Sequence, residues 1–344
     1  MEAQASNFDI TTDTAELRKA LRTYRGPRRA RSVMELAITA IPFAACWALL
    51  WLSVSTGYWL GLLLVIPAAG FLVRLFMIQH DCSHRSFFRS RRANDWLGRI
   101  IGVITFTPHD FWRRSHEIHH ASSGNLDRPR IGGVDTLTVR EYLALPRLQR
   151  FRYRLYRHPL VLFGFGPAYT FLLDYRLPLG FMRAGWAPWV STMGTNAAIV
   201  LLASAMIWLV GASTFLLVQL PITLLAASIG VWLFYVQHQF EDTYWEHEPD
   251  WSFNEASLHG SSHYVLPGVL RWFSANIGVH HIHHLCCRIP SYRLPEVLRD
   301  HPELQNVSRI TLRQSIEAVR LALWDEDARR LVSFREANRP ARSA

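Results

Sequence analysis

Residues 57–79 read GYWLGLLLVIPAAGFLVRLFMIQ, and HDCSH at 80–84 follows without a break. A helix needs about 20 apolar residues to cross the hydrocarbon core of a bilayer, so this run is long enough to span. Its one charged residue, Arg74, lies near the end of the run, and we expect its side chain to extend to the nearer membrane surface. The stretch predicts a transmembrane helix that carries histidines where it leaves the membrane.

Three further apolar runs complete a set of four expected spans, at about 34–55, 57–79, 193–212 and 215–237. From Ala184 to Phe240 the chain has no Asp, Glu, Lys or Arg, whereas a buried helix of a soluble protein normally keeps a polar face. A short break near Thr56 separates the first two runs, and another near Gly211 separates the last two. The sequence therefore predicts an all-α membrane protein with four transmembrane helices in two hairpins.

The basic residues indicate how these hairpins are oriented. Arginines are dense before the first run and after the second, while the connection within each hairpin carries no basic residue. Because cytoplasmic loops of membrane proteins are enriched in Lys and Arg, we expect both termini and the large middle loop in the cytoplasm. A shorter apolar stretch at 159–181 is interrupted by Gly, Pro and charged residues, and we expect it to lie in the membrane interface.

The composition argues against other classes of protein. Half of the residues are hydrophobic, only 19% are charged, and the net charge is +10. The basic residues lie outside the apolar runs and accompany no nucleic-acid-binding motif, so we expect no nucleic acid partner. The four cysteines form no spaced disulfide framework, which fits a reducing, cytoplasmic setting.

Most of the sixteen histidines are clustered on the side of the membrane that we expect to be cytoplasmic. HDCSH follows the second span, His238 follows the fourth, and HEIHH at 116–120 and HHIHH at 280–284 lie in the loops. Residues at offsets of three and four share one face of a helix, so their imidazoles can converge on a metal ion. Eight or nine imidazoles match two metal ions with four or five ligands each, which predicts a cytoplasmic helical cap that holds a histidine-rich di-metal site.

HEIHH by itself is open to two interpretations. As H-E-x-x-H it is a zinc-protease motif, in which His116 and His120 bind zinc and Glu117 is the general base. As His116, His119 and His120 it is a face of three imidazoles with a bystander glutamate. One zinc would leave at least five clustered histidines unused, so we favour the second interpretation. An all-nitrogen dinuclear site at a membrane surface indicates O₂ chemistry on a lipid-soluble substrate.

With these motifs in hand, the chain resembles a known family. HDCSH, HEIHH and HHIHH are similar to the three histidine boxes of membrane fatty acid desaturases, from about residue 35 to 300. The stretches FYVQHQFEDTYWE and NIGVHHIHHLCCRIPSYRLPEV resemble the bacterial acyl-lipid desaturases in particular, as does the short first box. The resemblance implies two iron ions bound by His80, His84, His116, His119, His120, His280, His283 and His284, with His238 as an additional ligand.

The same resemblance implies a function. The expected reaction is an O₂-dependent insertion of a cis double bond into a fatty acyl chain, in the acyl chain of a membrane lipid, at a bacterial inner membrane. No HPGG haem-binding signature occurs, so we expect a separate electron donor of the ferredoxin or flavodoxin type. The closest alternative is a membrane di-iron hydroxylase or ketolase acting on alkyl chains or carotenoids. An intramembrane zinc protease built on HEIHH is the alternative of another class.

Beyond the metal ligands we expect no separate catalytic residue, but four residues near the boxes are candidates to support the ligands: Asp81, Glu117, Asn276 and His281. We expect three segments: a basic cytoplasmic segment at 1–33, the membrane desaturase domain at 34–300, and a cytoplasmic C-terminal helical segment at 301–344. Within the last, residues 311–334 show helical apolar spacing, which predicts an amphipathic helix that packs on the cytoplasmic cap.

Overall fold

The computed structural model describes residues 10–129 and 131–338, with side chains described from residue 16 onward. The outer parts of the expected segments at 1–33 and 301–344 therefore lie outside the described residues, and that division of the chain remains a prediction. Sixteen α-helices are present in this part of the chain. They are α1 Ile10–Leu21, α2 Arg29–Ser55, α3 Val65–Ser83, α4 Arg91–Ile104, α5 His109–Ser122, α6 Val139–Ala144, α7 Arg147–Tyr156, α8 Gly166–Leu172, α9 Trp186–Val210, α10 Ala212–His238, α11 Phe253–Leu258, α12 Gly268–Phe273, α13 His280–Leu285, α14 Leu294–Asp300, α15 Leu312–Ala318 and α16 Phe334–Ala337.

Four helical stretches are long and apolar enough to cross a membrane, which confirms the predicted fold class. They are Arg29–Ser55, Trp59–Ser83, Trp186–Val210 and Ala212–His238, the second consisting of a 3₁₀ turn at Trp59–Leu64 that runs into α3. Each has 25 or 27 residues, more than the roughly 20 that a span requires. Trp186 and Trp208 on α9 are 84% and 87% exposed, as expected for side chains that face lipid.

The bundle is held together by apolar contacts between α2, α3 and α10. Leu50, Leu72 and Ile222 are buried in its main hydrophobic core. α9 packs against α10 on one side and against α4 and α5 on the other. This arrangement ties the helices outside the membrane spans to the ends of the spans, where the histidines are.

The position of Arg74 differs from the expectation. Its side chain is buried and does not extend to the membrane surface. The guanidinium forms an ion pair with Glu35 on α2, donates to Thr39 Oγ1 at 3.1 Å, and lies 4.1 Å from the Trp272 ring centroid. A charge inside a span is costly unless it is paired, and Glu35 on the neighbouring helix supplies the partner.

The part of the chain outside the four spans also contains short strands: β1 Leu137–Thr138, β2 His263–Val265, β3 Arg309–Thr311, β4 Leu321–Asp325 and β5 Arg330–Ser333. β1 runs parallel to β4, and β4 pairs with β5 in an antiparallel hairpin. β2 and β3 form a separate parallel pair.

The predicted single helix over 311–334 is therefore wrong beyond its first two turns. A capping box at Thr311 and Gln314 starts α15, which ends at Ala318, and the chain then forms the β4–β5 hairpin. Asp325 Oδ1 accepts the backbone N–H groups of Asp327 and Ala328 in the connecting turn. Pairing with β1, far away in the sequence, favours the strand over the local helical pattern.

The apolar stretch at 159–181 folds into short pieces, none of which can cross a bilayer. A π-helical turn at Val161–Phe165 leads into α8, and a 3₁₀ turn follows at Asp174–Arg176. Leu160 and Phe165 are exposed, which suits contact with lipid, but the interfacial position of this stretch stays a prediction.

Candidate metal centre

Four helices bring the histidine clusters together. His80 is on the last turn of α3, and His84 caps the C-terminus of that helix one turn later. His238 is the last residue of α10, so both of these spans carry a predicted ligand in the last turn. The remaining clusters occupy one face of α5 and the short helix α13.

The nine predicted ligands converge into two groups within the described part of the chain. In each group the nearest ring nitrogens all lie within 4.8 Å of one another, which is close enough for one metal ion to bind them together. The first group is His80, His84, His116, His120 and His283, and the second is His119, His238, His280 and His284. The structure thus places all nine at one centre, and it divides HEIHH between the two groups.

The ring nitrogens face one another in a pattern that hydrogen bonds do not satisfy. In the first group, His116 Nε2 lies 3.0 Å from His84 Nε2 and 3.1 Å from His120 Nε2. The Nε2 atom of a neutral imidazole has either one proton to donate or one lone pair that accepts. It therefore cannot form good hydrogen bonds with two neighbouring Nε2 atoms at once. A metal ion that accepts lone pairs from all of them does satisfy the arrangement.

The second group shows the same pattern. His238 Nε2 lies 3.1 Å from His119 Nε2 and 3.0 Å from His280 Nε2. His238 Nδ1 is 3.0 Å from the Gly260 carbonyl oxygen, and donation to this carbonyl leaves the lone pair on Nε2. A backbone carbonyl partner of this kind orients a metal-binding imidazole.

Burial favours the neutral form of the predicted ligand imidazoles outside the spans. It is the main cause that lowers the pKa of each ring well below the usual histidine value, and repulsion from neighbouring histidines adds to the effect. A neutral ring is the form that binds a metal ion. The pKa is lowered in this way at His84, His116, His119, His120, His280, His283 and His284.

The candidate supporting residues have different surroundings. Asp81 is buried, and its Oδ2 accepts the Ser291 backbone N–H at 2.9 Å, which ties the end of α3 to the loop after α13. His281 is outside both groups and donates from Nε2 to the Leu304 carbonyl at 2.9 Å. Asn276 has left-handed backbone (φ 61°) and its amide group is 3.4 Å from the Ser291 carbonyl.

Glu117 is exposed on α5, whereas His116 and His119 on the same helix are buried. A zinc-protease base must reach a water on the metal, and an exposed side chain on a different face of the helix does not do this. The geometry therefore favours the three-imidazole interpretation of HEIHH over the zinc-protease motif.

A third cluster, Asp95, His109 and Asp110, was not singled out by the sequence and is better described as an ion-pair network. Arg113 Nη1 lies 2.7 Å from Asp95 Oδ1, and Arg99 Nε lies 2.8 Å from Asp110 Oδ2. These guanidinium groups supply the positive charge that a metal ion would bring. The network joins α4 to α5 and so holds the helix that carries three of the predicted ligands.

A cavity of about 460 Å³ adjoins the first metal-ligand group. His116 and Trp112 are part of its wall, and the two rings stack with centroids 4.5 Å apart. The rest of the lining is mostly apolar and comes from α3, α10, the loop at 131–134 and the segment 161–181. Sequence patterns did not reveal this cavity, because its walls come from segments far apart in the chain.

The fold and site define a class: an integral membrane protein with a buried, histidine-rich site able to bind metal ions beside an apolar cavity. Comparison with known proteins makes the assignment specific. The profile of the family described as fatty acid desaturase matches residues 56–314. This chain belongs to the fatty acid desaturase family and is an oxidoreductase.

Individual relatives agree with this assignment. The chain is 46% identical to a fatty acid desaturase of Bacillus subtilis over 93% of its own length and 90% of the relative. It is 29% identical to the sn-1 acyl-lipid omega-3 desaturase (ferredoxin) of Synechocystis sp., over 64% of its own length and 61% of the relative. It is 27% identical to the sn-1 oleoyl-lipid 12-desaturase of the same organism, over 65% and 63%.

Proposed function

We propose that this protein is an O₂-dependent di-iron desaturase that inserts a cis double bond into a fatty acyl chain of a membrane lipid. One CH₂–CH₂ unit, O₂, two electrons and two protons give one CH=CH unit and two water molecules. Two of the four electrons that reduce O₂ come from the acyl chain and two from an external donor. The observation that supports this most is the pair of histidine groups beside the apolar cavity.

The residues present fit two iron ions. Five imidazoles in one group and four in the other give an all-nitrogen donor set that suits iron. When bound, the irons would supply the O₂ activation that is needed to remove hydrogen from an unactivated methylene. We assign His80, His84, His116, His120 and His283 to one ion and His119, His238, His280 and His284 to the other.

The protein's own residues would position the acyl chain. The cavity wall of Leu72, Phe76 and Phe234 is apolar, and it excludes water from the methylene groups that react. Stacking of Trp112 on His116 holds one ligand ring at the wall of the cavity, so the chain passes directly beside the first group. The distance from this point to the inner end of the cavity would determine which carbon atoms react.

We place the protein in a bacterial inner membrane with the metal centre and both termini in the cytoplasm. The arginine-rich segments before α2 and after α3 support this orientation. Two relatives carry ferredoxin in their names, which supports a separate donor of the ferredoxin or flavodoxin type for this protein.

Fatty-acid profiling of a bacterial host that makes the protein tests the proposal. We expect products two mass units lighter than the host acyl chains, and two irons per purified chain by elemental analysis. A product sixteen mass units heavier would indicate the hydroxylase alternative. Three results together would contradict the proposal: an unchanged host profile, one zinc per purified chain, and no lipid turnover after reconstitution with iron.

A further inference from the structure

We propose that Arg25, Arg85 and Arg288, which we call the arginine face, dock an acidic one-electron carrier protein beside the first histidine group. The inference rests on the proposed function, because it names the surface through which the two external electrons arrive. It adds the position of the donor, which neither the fold nor the family assignment provides.

The three arginines lie around residues that are adjacent to metal ligands. Arg85 directly follows His84, and its φ of 55° turns the chain out of α3 at this point. Arg288 lies four residues after His284 and within electrostatic range of the His84 ring. Arg25 donates from Nε to Cys286 Sγ at 3.1 Å, two residues beyond the same box.

The N-terminal turn that carries Arg25 also packs against the segment after Arg288, since Arg293 Nη1 donates to the Tyr24 carbonyl oxygen at 3.0 Å. Arg25 and Arg288 both act electrostatically on the thiol of Cys287, although burial is the larger influence and raises the pKa of that thiol to about 11. The N-terminal turn and the loop after α13 therefore form one continuous surface at the ligand-bearing end of the bundle.

This surface has more positive charge than its own carboxylates neutralise. Arg288 is exposed and forms no ion pair with any carboxylate in the described part of the chain. The nearest carboxylate to Arg85 is Asp95 at 3.9 Å, and Asp95 is already bound to Arg113 at 2.7 Å. An acidic partner would therefore meet free guanidinium groups, which raise association rates and select partners of opposite charge.

The arginine face is separate from the cavity that we assign to the acyl chain. Of the nine ligands only His116 lines the large cavity, and none of the three arginines does. His120 of the first group is only partly buried and does not line that cavity. A carrier docked here would not compete with the lipid for space.

Each double bond requires two external electrons, so a one-electron carrier must bind to this surface twice per turnover. Each encounter oxidises one reduced carrier by one electron, and two encounters supply the two electrons that the acyl chain does not. An open, charged surface suits this exchange, because the oxidised carrier must leave before the next one binds. Electrostatic docking of this kind weakens as ionic strength rises.

The test uses the iron-loaded full-length chain in phosphatidylcholine vesicles, with a reduced plant-type ferredoxin as the probe. We expect Arg288→Glu to raise the KM for ferredoxin about tenfold with little change in kcat, and to flatten its dependence on salt. Arg288→Gln should show a smaller rise in the same direction. Arg313→Glu is the matched control, because Arg313 is 90% exposed and pairs along its own helix with Glu317.

Turnover driven by dithionite and methyl viologen separates the possible causes. It should be the same in the parent and in all three variants, because these small reductants need no docking site. An unchanged ferredoxin KM in both Arg288 variants would overturn the arginine face, as would an equal rise in the Arg313 control. If the parent chain turns over no lipid with any reductant, the proposed function fails, and ferredoxin binding to the vesicles then tests docking separately.

Discussion

At the scale of single residues, the division of HEIHH between the two histidine groups separates the two interpretations of this motif. His116 and His120 belong to the first group, and His119 crosses to the second, where its Nε2 is 3.1 Å from that of His238. We therefore expect His119→Ala to remove a metal ligand, to abolish double-bond formation and to lower the iron content toward one ion per chain. Glu117→Gln changes an exposed side chain and should retain most of the activity.

The measurement for this pair is unsaturated-chain content together with iron content, at matched protein levels. Loss of a residue that only supports a ligand typically lowers activity about 10–100-fold. Because Glu117 is exposed, we expect Glu117→Gln to lower activity by less than this. Normal double-bond formation in His119→Ala beside its loss in Glu117→Gln would contradict the roles given to His119 as a ligand and to Glu117 as a bystander.

His247 is a second residue with a testable role, this time in pH dependence. Its Nδ1 lies 2.8 Å from Asp127 and its Nε2 3.3 Å from Glu326, and hydrogen bonds to these two carboxylates raise the pKa of His247 above the usual value. A raised pKa means that the protonated ring stabilises the folded state. This contribution is present below the unfolded-state pKa near 6.5 and is lost as pH rises through the folded-state value.

We therefore expect the Tm difference between the parent and His247→Gln to be larger at about pH 6 than at about pH 9. The comparison uses thermal unfolding in the same detergent and salt. A difference that grows with pH would contradict the assignment, because it would mean that the neutral ring is the stabilising form.

At the scale of elements, α10 contributes three small residues to one wall of the cavity, namely Ala226, Ala227 and Gly230. Gly230 lines the cavity, and a Cβ added there would meet no atom within 4 Å. Gly230→Leu should therefore extend into the cavity, lower turnover of long acyl chains at least tenfold and favour shorter ones. Leucine is also a better helix former than glycine, so the helix itself should not be weakened.

Competition between acyl chains of different length, analysed by mass spectrometry, measures this effect. Gly194→Leu is the matched control, since Gly194 is an exposed position on α9 with equally open space around its Cα. Unchanged chain-length preference in Gly230→Leu would mean that the acyl chain does not occupy this cavity.

The contact between α2 and α3 depends on the buried pair Glu35–Arg74. Glu35→Gln leaves the guanidinium buried without a full counter-charge, and we expect a loss of about 3–5 kcal/mol in the free energy of unfolding. The double variant Glu35→Leu, Arg74→Leu should recover most of that loss, because it removes both charges from the span. Reversible unfolding in mixed micelles measures both, and an unchanged stability of Glu35→Gln would contradict a stabilising role for the Glu35–Arg74 pair.

At the scale of the whole molecule, the prediction concerns topology. Four spans with both termini inside imply that reporters fused at residues 56, 130, 213 and 344 give signals outside, inside, outside and inside. The physical reason is the absence of basic residues within each hairpin connection and their excess in the flanking segments. An outside signal at residue 130 would place the histidine groups across the membrane from the expected donor.

Local pattern was enough to predict the four spans and the histidine clusters, because span length and helical spacing depend on neighbouring residues alone. The set of nine histidines as metal ligands was implied by the resemblance to the family. The partition of those histidines into two groups was decided only by the packing of α3, α5, α10 and α13. The same holds for Arg74, whose partner Glu35 is on another helix, and for 321–333, where pairing with β1 replaces the expected helix. Contacts between distant segments depend on how the helices cross and how the loops connect them. The spacing of apolar residues along the sequence does not predict either. The cavity is the clearest case, since its volume exists only between elements that the folded chain brings together.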